Sequence, residues 1–433
     1  MRRPTLWWID REILLASREA RKGVKGLGPG LITGVADDDP SGISTYTVIG
    51  ATSGYQLLWT SPVTLPLNVA VQSICARIGI VTGRGLGATI SDRFGRRLLY
   101  PLVALLLIAN VINIGADIGA IAASVELLLG IPSLALVAPI GIAIALLEVV
   151  APYASLARYL KLLTLVVFAY IAGAFFADPE WAPAVRATLT PRADLDAEGI
   201  GALVAILGTT ISPYLFFWQT SEEVEEEEEK GIQATKAGAG QIASLLRAAN
   251  FDVATGMLMA HLGFYFVVLT AAAALHASGQ TDVSTAAEAA EALRPLAGDA
   301  ASLLFALGII GTGLLAIPVL AGSSAYATAE LFGWREGLSR TFRQAPQFYG
   351  VIALATMLGI GMSFLGVSEI RALYVAAIVN GLVAPFLLVV IMLAAGDAKV
   401  LGEHRPGVLT LAVGWFTAAV MGLAALGLVV AQL

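Results

Sequence analysis

Residues 30–46 read Gly-Leu-Ile-Thr-Gly-Val-Ala-Asp-Asp-Asp-Pro-Ser-Gly-Ile-Ser-Thr-Tyr. The flanking chain is apolar over the length of a membrane span, so Asp37, Asp38 and Asp39 fall in its middle, with Pro40 and Gly42 just behind. A carboxylate at bilayer depth is costly, and a proline removes a helical donor while clashing with the preceding turn. Such a segment persists only where broken backbone lines a polar cavity. The stretch therefore predicts a helix interrupted in mid-membrane.

Composition supports a membrane setting. Of the 433 residues 57% are hydrophobic and 13% charged, with a mean hydropathy of +0.80. Soluble domains carry roughly 25% charged residues, so a soluble enzyme and a disordered scaffold are both excluded. A net charge of −6 without a basic stripe gives no support for nucleic acid as a partner. One cysteine, Cys75, excludes a disulfide framework and a cysteine-built metal site. No Gly-rich phosphate loop or Ser/His/Asp set appears, so neither a nucleotide partner nor ATP-driven pumping is expected.

A hydrocarbon core of about 30 Å needs roughly 20 apolar residues per helix. Eleven spans are predicted, at 27–51, 55–80, 98–129, 132–152, 155–177, 198–220, 251–275, 301–328, 349–366, 369–395 and 407–431. Residues 1–26, with seven Lys/Arg, read as a cytoplasmic arm. With the N-terminus inside and the C-terminus outside, inner segments collect 22 of the 26 Lys/Arg. The outer side keeps only Arg186, Arg192, Arg294 and Arg371. That split is what the positive-inside rule predicts for a correct span count.

The sixth span repeats the interruption, as Gly208-Thr209-Thr210-Ile211-Ser212-Pro213-Tyr214. Five spans separate Pro40 from Pro213, so spans one to five (27–177) and six to ten (198–395) run in opposite orientation. Paired broken helices at matching positions of inverted halves point to a transport site near the midplane. The eleventh span, 407–431, lies outside the repeat.

The motifs Gly28-Pro29-Gly30-Leu31, Asp39-Pro40 and Gly54-Tyr55-Gln56-Leu57-Leu58-Trp59 resemble the start of the NRAMP divalent-metal transporters. The resemblance extends along the chain. It implies an all-α polytopic membrane protein with a LeuT-like 5+5 inverted repeat, broken helices one and six, and an added eleventh helix. It also implies a transporter in a bacterial inner membrane, acting as a monomer, with no resident cofactor. Typical members read Asp-Pro-Gly-Asn at the first break and Met-Pro-His at the second. Here the sequence is Asp39-Pro40-Ser41-Gly42 and Ser212-Pro213-Tyr214, similar to the divergent NRAMP-related branch associated with magnesium and manganese.

The family pattern places the ion on the Asp39 carboxylate, on Ser212 in place of the methionine, and on carbonyls of Ala36 and Thr209. Asn380 falls near the family's polar residue in span ten. A thioether favours transition metals, whereas Mg²⁺ prefers oxygen and keeps several waters. An all-oxygen site therefore suits a partly hydrated hard cation. The alternative for Ser212 is small-residue packing between helices. Of Asp37 and Asp38, one is expected to face the cavity and the other to be paired, protonated or helix-capping. Ser41 and Gly42 fall at the break itself.

Asn110, Asn113 and Asp117 share one face of span three, either as a polar seam between helices or as pathway lining. By the resemblance, Asp117 falls near the second of two proton-carrying acids, and Ile114 replaces the first. Tyr214 and Gln219 stand where the family carries two histidines, so proton coupling is not expected. The run Glu222-Glu223-Val224-Glu225-Glu226-Glu227-Glu228-Glu229 reads as a solvated face or as an acidic vestibule for cations. His261 reads as a hydrogen-bonded core histidine or as a pathway residue.

Three functions follow in order: a Mg²⁺ (with Mn²⁺) transporter without proton coupling, a proton-coupled Mn²⁺/Fe²⁺ importer, and a carrier of an organic solute. An intramembrane aspartyl hydrolase is disfavoured, because its two aspartates must face each other across a cleft.

Overall fold

The computed structural model describes residues 27–151, 153–192, 197–232, 238–281, 283, 286–364 and 369–431; the N-terminal arm 1–26 lies outside them. Among the described residues the structure is helical and contains no strand. The first half runs through α1 (Pro29–Ala36), α2 (Pro40–Ser53), α3 (Thr60–Thr82), α4 (Leu86–Phe94), α5 (Arg96–Leu129), α6 (Ser133–Val150), α7 (Tyr153–Leu163) and α8 (Val167–Phe176). A short helix, α9 (Trp181–Leu189), leads to α10 (Ala197–Thr210), α11 (Pro213–Glu229), α12 (Ala239–Ala271) and α13 (Ala286–Phe332). The chain closes with α14 (Pro346–Phe364), α15 (Glu369–Gly396), α16 (Ala398–Leu401) and α17 (Val408–Ala431).

Ten helices among the described residues are long and apolar enough to cross a membrane. Span one, interrupted between α1 and α2 by three aspartates, is not among them, whereas span six is counted across its own break. The architecture is thus the expected one, with breaks in spans one and six. The ends of some spans differ. Span six continues as helix to Glu229 and span seven begins at Ala239, because both helices extend beyond their apolar stretches through polar and charged residues. Large apolar side chains on the outer helices, such as Leu146, Leu162, Phe175 and Leu358, are exposed, as lipid-facing residues would be.

The interior is organised around α13, which packs along α5, and around α12, which packs against α1 and α3. Span one is held by its backbone. A Cβ on Gly34 would overlap the backbone of Gly256, and one on Gly256 would overlap Gly30. One turn before Gly256, Asp252 accepts hydrogen bonds from the N–H groups of Gly30 (2.7 Å) and Leu31 (3.2 Å). Those donors belong to the first turn of α1 and lack intrahelical partners, so a carboxylate there satisfies them and complements the helix dipole. Alternation of glycine and acid on α12 thus docks a helix of only eight residues.

Candidate ion-binding site

At the first break, the backbone of Asp39 is extended (φ −61°, ψ 165°) and its side chain caps α2. Oδ1 accepts from the Gly42 N–H at 2.7 Å and from the Ser41 hydroxyl at 2.6 Å. Both bonds fall on Oδ1, so the second oxygen is the one that remains for an ion. At the second break, Ser212 is likewise extended, and its hydroxyl donates to the Thr209 carbonyl at 3.0 Å. Pro40 and Pro213 each stand at the first helical position, where the missing N–H costs nothing.

The two breaks meet at a cavity of about 30 Å³ lined by Asp39, Ser41, Thr45, Asn113, Gly208, Thr209, Ser212 and Asn380. Asn380 is buried there, and its Oδ1 has no hydrogen-bond partner. A water needs on the order of 10–15 Å³ of such space. The cavity therefore has room for an ion but not for a full hydration shell. Asp39, Ser41, Asn113, Thr209, Ser212 and Asn380 come together from the sequence reading; Thr45 was not singled out, although it lies one helical turn beyond Ser41.

The remaining site candidates lie outside this lining. The Ala36 carbonyl accepts from the Tyr214 hydroxyl at 2.8 Å, so Tyr214 ties the end of α1 to the start of α11. Asp37 accepts from the Asn68 amide at 3.0 Å, and the same amide donates to the Thr210 carbonyl at 2.9 Å. Asn68, on α3, thereby joins both breaks, and nothing in the sequence marked it beyond a polar residue within an apolar span. Asp38 faces away, toward Gly263. Gly42 serves Asp39 through its N–H. Asp117 is fully buried on α5, and neither of its oxygens has a partner. Asn110 donates to Ser323 and Ser324 on α13, both at 3.0 Å, a polar seam between helices. His261 is a core histidine bonded to the Met257 carbonyl and to Thr64.

The glutamate run is not a solvated face over its first half. Glu222, Glu223, Glu225 and Glu227 are buried, and only Glu228 and Glu229 are exposed. Glu222 accepts from the hydroxyls of Tyr153 (3.1 Å) and Tyr326 (3.3 Å), and Glu223 accepts from the Gln219 amide at 2.8 Å. Helix continuation turns these carboxylates into the protein, where hydroxyl and amide donors meet them. Glu225 and Glu228 border a recess of about 350 Å³ with Arg84, Glu330, Glu336 and Arg340. Burial, with Glu330 and Glu225 beside it, raises the Glu336 carboxyl to about 10. Glu330 takes the Ala88 N–H at 3.1 Å, the Gly87 N–H and the Ser221 hydroxyl at 3.0 Å, tying α4 and α11 to α13.

A membrane-crossing helical bundle with two mid-span breaks meeting around a carboxylate is a transporter of the LeuT-like fold, not an enzyme. Residues 30–431 match the Nramp family (natural resistance-associated macrophage protein-like), and the chain belongs to it. A divalent metal cation transporter MntH of Aeromonas hydrophila is 28% identical over 394 residues, covering 90% of this chain and 91% of that protein. Its counterpart in Yersinia pestis is 28% identical over 386 residues, covering 87% and 88%. The fold is similar to that of the Eremococcus coleocola manganese transporter, with a TM-score of 0.74 at 19% identity, covering 98% of this chain and 88% of that one. It is also similar to the nucleobase-cation symporter Mhp1, with a TM-score of 0.61 at 14% identity and coverage of 94% and 90%.

Proposed function

We propose that this chain carries divalent metal cations across a bacterial inner membrane, with Mg²⁺ preferred, Mn²⁺ accepted and no coupling to protons. The observation that carries this reading is a cavity with one carboxylate, several hydroxyl, amide and carbonyl oxygens, and no sulphur. Hard oxygen donors around a single charge suit Mg²⁺ and Mn²⁺ and give no advantage to softer metals. The relatives named as divalent metal cation transporters, and the manganese transporter of similar fold, support the divalent class. A cavity of about 30 Å³ disfavours an organic solute. In this reading the N-terminus is cytoplasmic and the C-terminus outside. The repeats are 27–177 and 198–395, 407–431 is an addition, and a monomer suffices.

Ser212→Met tests the selectivity. A thioether at the cavity wall should raise Cd²⁺ affinity relative to Mg²⁺ by about tenfold or more in calorimetry. Unchanged relative affinity would mean that residue 212 does not face the ion.

Coupling is tested by an internal pH dye in proteoliposomes during Mg²⁺ or Mn²⁺ influx, with valinomycin setting the voltage. The membrane potential alone favours a divalent cation by roughly 4.6 kcal/mol per 100 mV, twice the value for one charge. Uptake that follows voltage without internal acidification is expected. Proton influx above the protein-free control would instead support a proton-coupled Mn²⁺/Fe²⁺ importer. One observation favours that second reading: Asp117 is a buried carboxylate without a partner, within electrostatic reach of Asp39.

A further inference from the structure

The last turns of α11 carry more carboxylates than the described residues neutralise. Glu223, Glu226 and Glu227 share one face of that helix at spacings of three and four, with Lys230 at its C-cap. Among the described residues the one ion pair there joins Lys230 to Glu226 at 2.8 Å. Glu227 is 5% exposed and its Oε1 has no hydrogen-bond partner, while Glu228 and Glu229 are exposed. Like charges at such spacings repel one another, so this end of the helix calls for further cations.

The same face abuts the start of α1. A Cβ on Gly28 would stand 2.5 Å from Glu226 Oε2 and 3.1 Å from Oε1, so the backbone at residue 28 runs directly over that carboxylate. Asp252 of α12, which holds the Gly30 and Leu31 N–H groups, adds another acid beside the first turn of α1. Just before Gly28 the sequence reads Arg18-Glu19-Ala20-Arg21-Lys22-Gly23-Val24-Lys25, with four cations against one acid. An extended chain covers at most about 3.6 Å per residue, which keeps Lys25 within about 11 Å of Gly28 and Lys22 within about 22 Å. Glu226 to Glu229 occupy a single helical turn of about 5.4 Å. The basic segment is thus tethered at the edge of the acidic one.

We propose that residues 18–25 dock on the acidic end of α11, with Arg21, Lys22 and Lys25 meeting Glu226 to Glu229. Exposed ion pairs are individually weak, but a short tether gives a high effective concentration and lets several act together. Anionic lipid is the competing partner for a basic segment, and the glutamates at its root repel such headgroups. Docked, the segment holds α1 and α11, one half of each broken span, together at the end away from the ion cavity. The inference is independent of which ion the cavity takes.

The test is limited trypsin digestion of the purified full chain in neutral detergent, with the cuts read by mass spectrometry. Glu226→Gln/Glu228→Gln/Glu229→Gln should speed cleavage after Arg21, Lys22 and Lys25 by about tenfold, with cleavage after Arg11 unchanged. NaCl at about 1 M, where the screening length falls to about 3 Å, should do the same to the parent. If the triple variant does not fold, Glu228→Gln/Glu229→Gln alters only exposed side chains and should give a smaller effect of the same sign. Zero-length carbodiimide coupling should also join Lys22 of the parent to Glu226, Glu228 or Glu229, and high salt should abolish the link. Cleavage rates untouched by the glutamine variants, or absence of the Lys22 link, would overturn the proposal. Protection that needs anionic liposomes and persists in the glutamine variants would overturn it in favour of the bilayer.

Discussion

Asp39→Ala is expected to abolish saturable Mg²⁺ and Mn²⁺ binding and to reduce uptake to the level of empty liposomes. Asp39 supplies the one formal charge in the cavity lining; the other lining groups are hydroxyls, amides and backbone. Removing the only charged ligand of a divalent ion leaves weak neutral oxygens against a large dehydration cost. The substitution also removes the cap of α2, worth about 1 kcal/mol, so a parallel variant must separate ligand from cap. Asp39→Asn does so, because asparagine caps as well as aspartate but carries no charge. It should remain as stable as the parent and still fail to bind metal in calorimetry. Wild-type uptake in either variant would remove Asp39 from the site.

Gly256→Leu should be the most damaging substitution away from the cavity. The backbones of α1 and α12 touch at Gly30, Gly34 and Gly256, and a side chain there must push the helices apart. Overpacking in a tight interior costs about 1–3 kcal/mol, and contact with backbone leaves little room to relax. The separation would also pull the Asp252 carboxylate from the Gly30 and Leu31 N–H groups. Since α1 ends at the Ala36 carbonyl beside the break, the displacement should reach the ion site. A fall of several degrees in Tm with loss of Mn²⁺ binding is expected. Gly350→Ala, where an added Cβ meets open space, serves as the control and should leave both unchanged.

The breaks were legible because Pro40 and Pro213 each follow polar residues in mid-span, Asp37–Asp39 and Thr209–Ser212, whereas prolines such as Pro66 and Pro385 lie inside continuous helices. Asp39, Ser212, Asn113 and Asn380 were found by depth in the span and by family pattern, and they meet around one cavity. The direction of a side chain was not legible. Asp37, Asp38 and Asp39 are adjacent in sequence, yet on irregular backbone they turn to Asn68, Gly263 and the cavity respectively. Asn68 and Asp252 escaped notice because their partners, at the two breaks and at the first turn of α1, are distant in sequence, which no local periodicity records. The glutamate run misled for a different reason. A block of like charge usually faces water, but here Tyr153 and Tyr326 supply buried donors from two other helices.

Asn68 has a mechanical meaning as well. One amide nitrogen holds the carboxylate of Asp37 at the first break and the carbonyl of Thr210 at the second. A rotation of α1 relative to α10 cannot preserve both bonds unless Asn68 moves to follow it. The two interruptions are therefore geared through a single pin on α3. The two halves of the ion's cradle thus share one side-chain support, on a helix that is itself unbroken from Thr60 to Thr82.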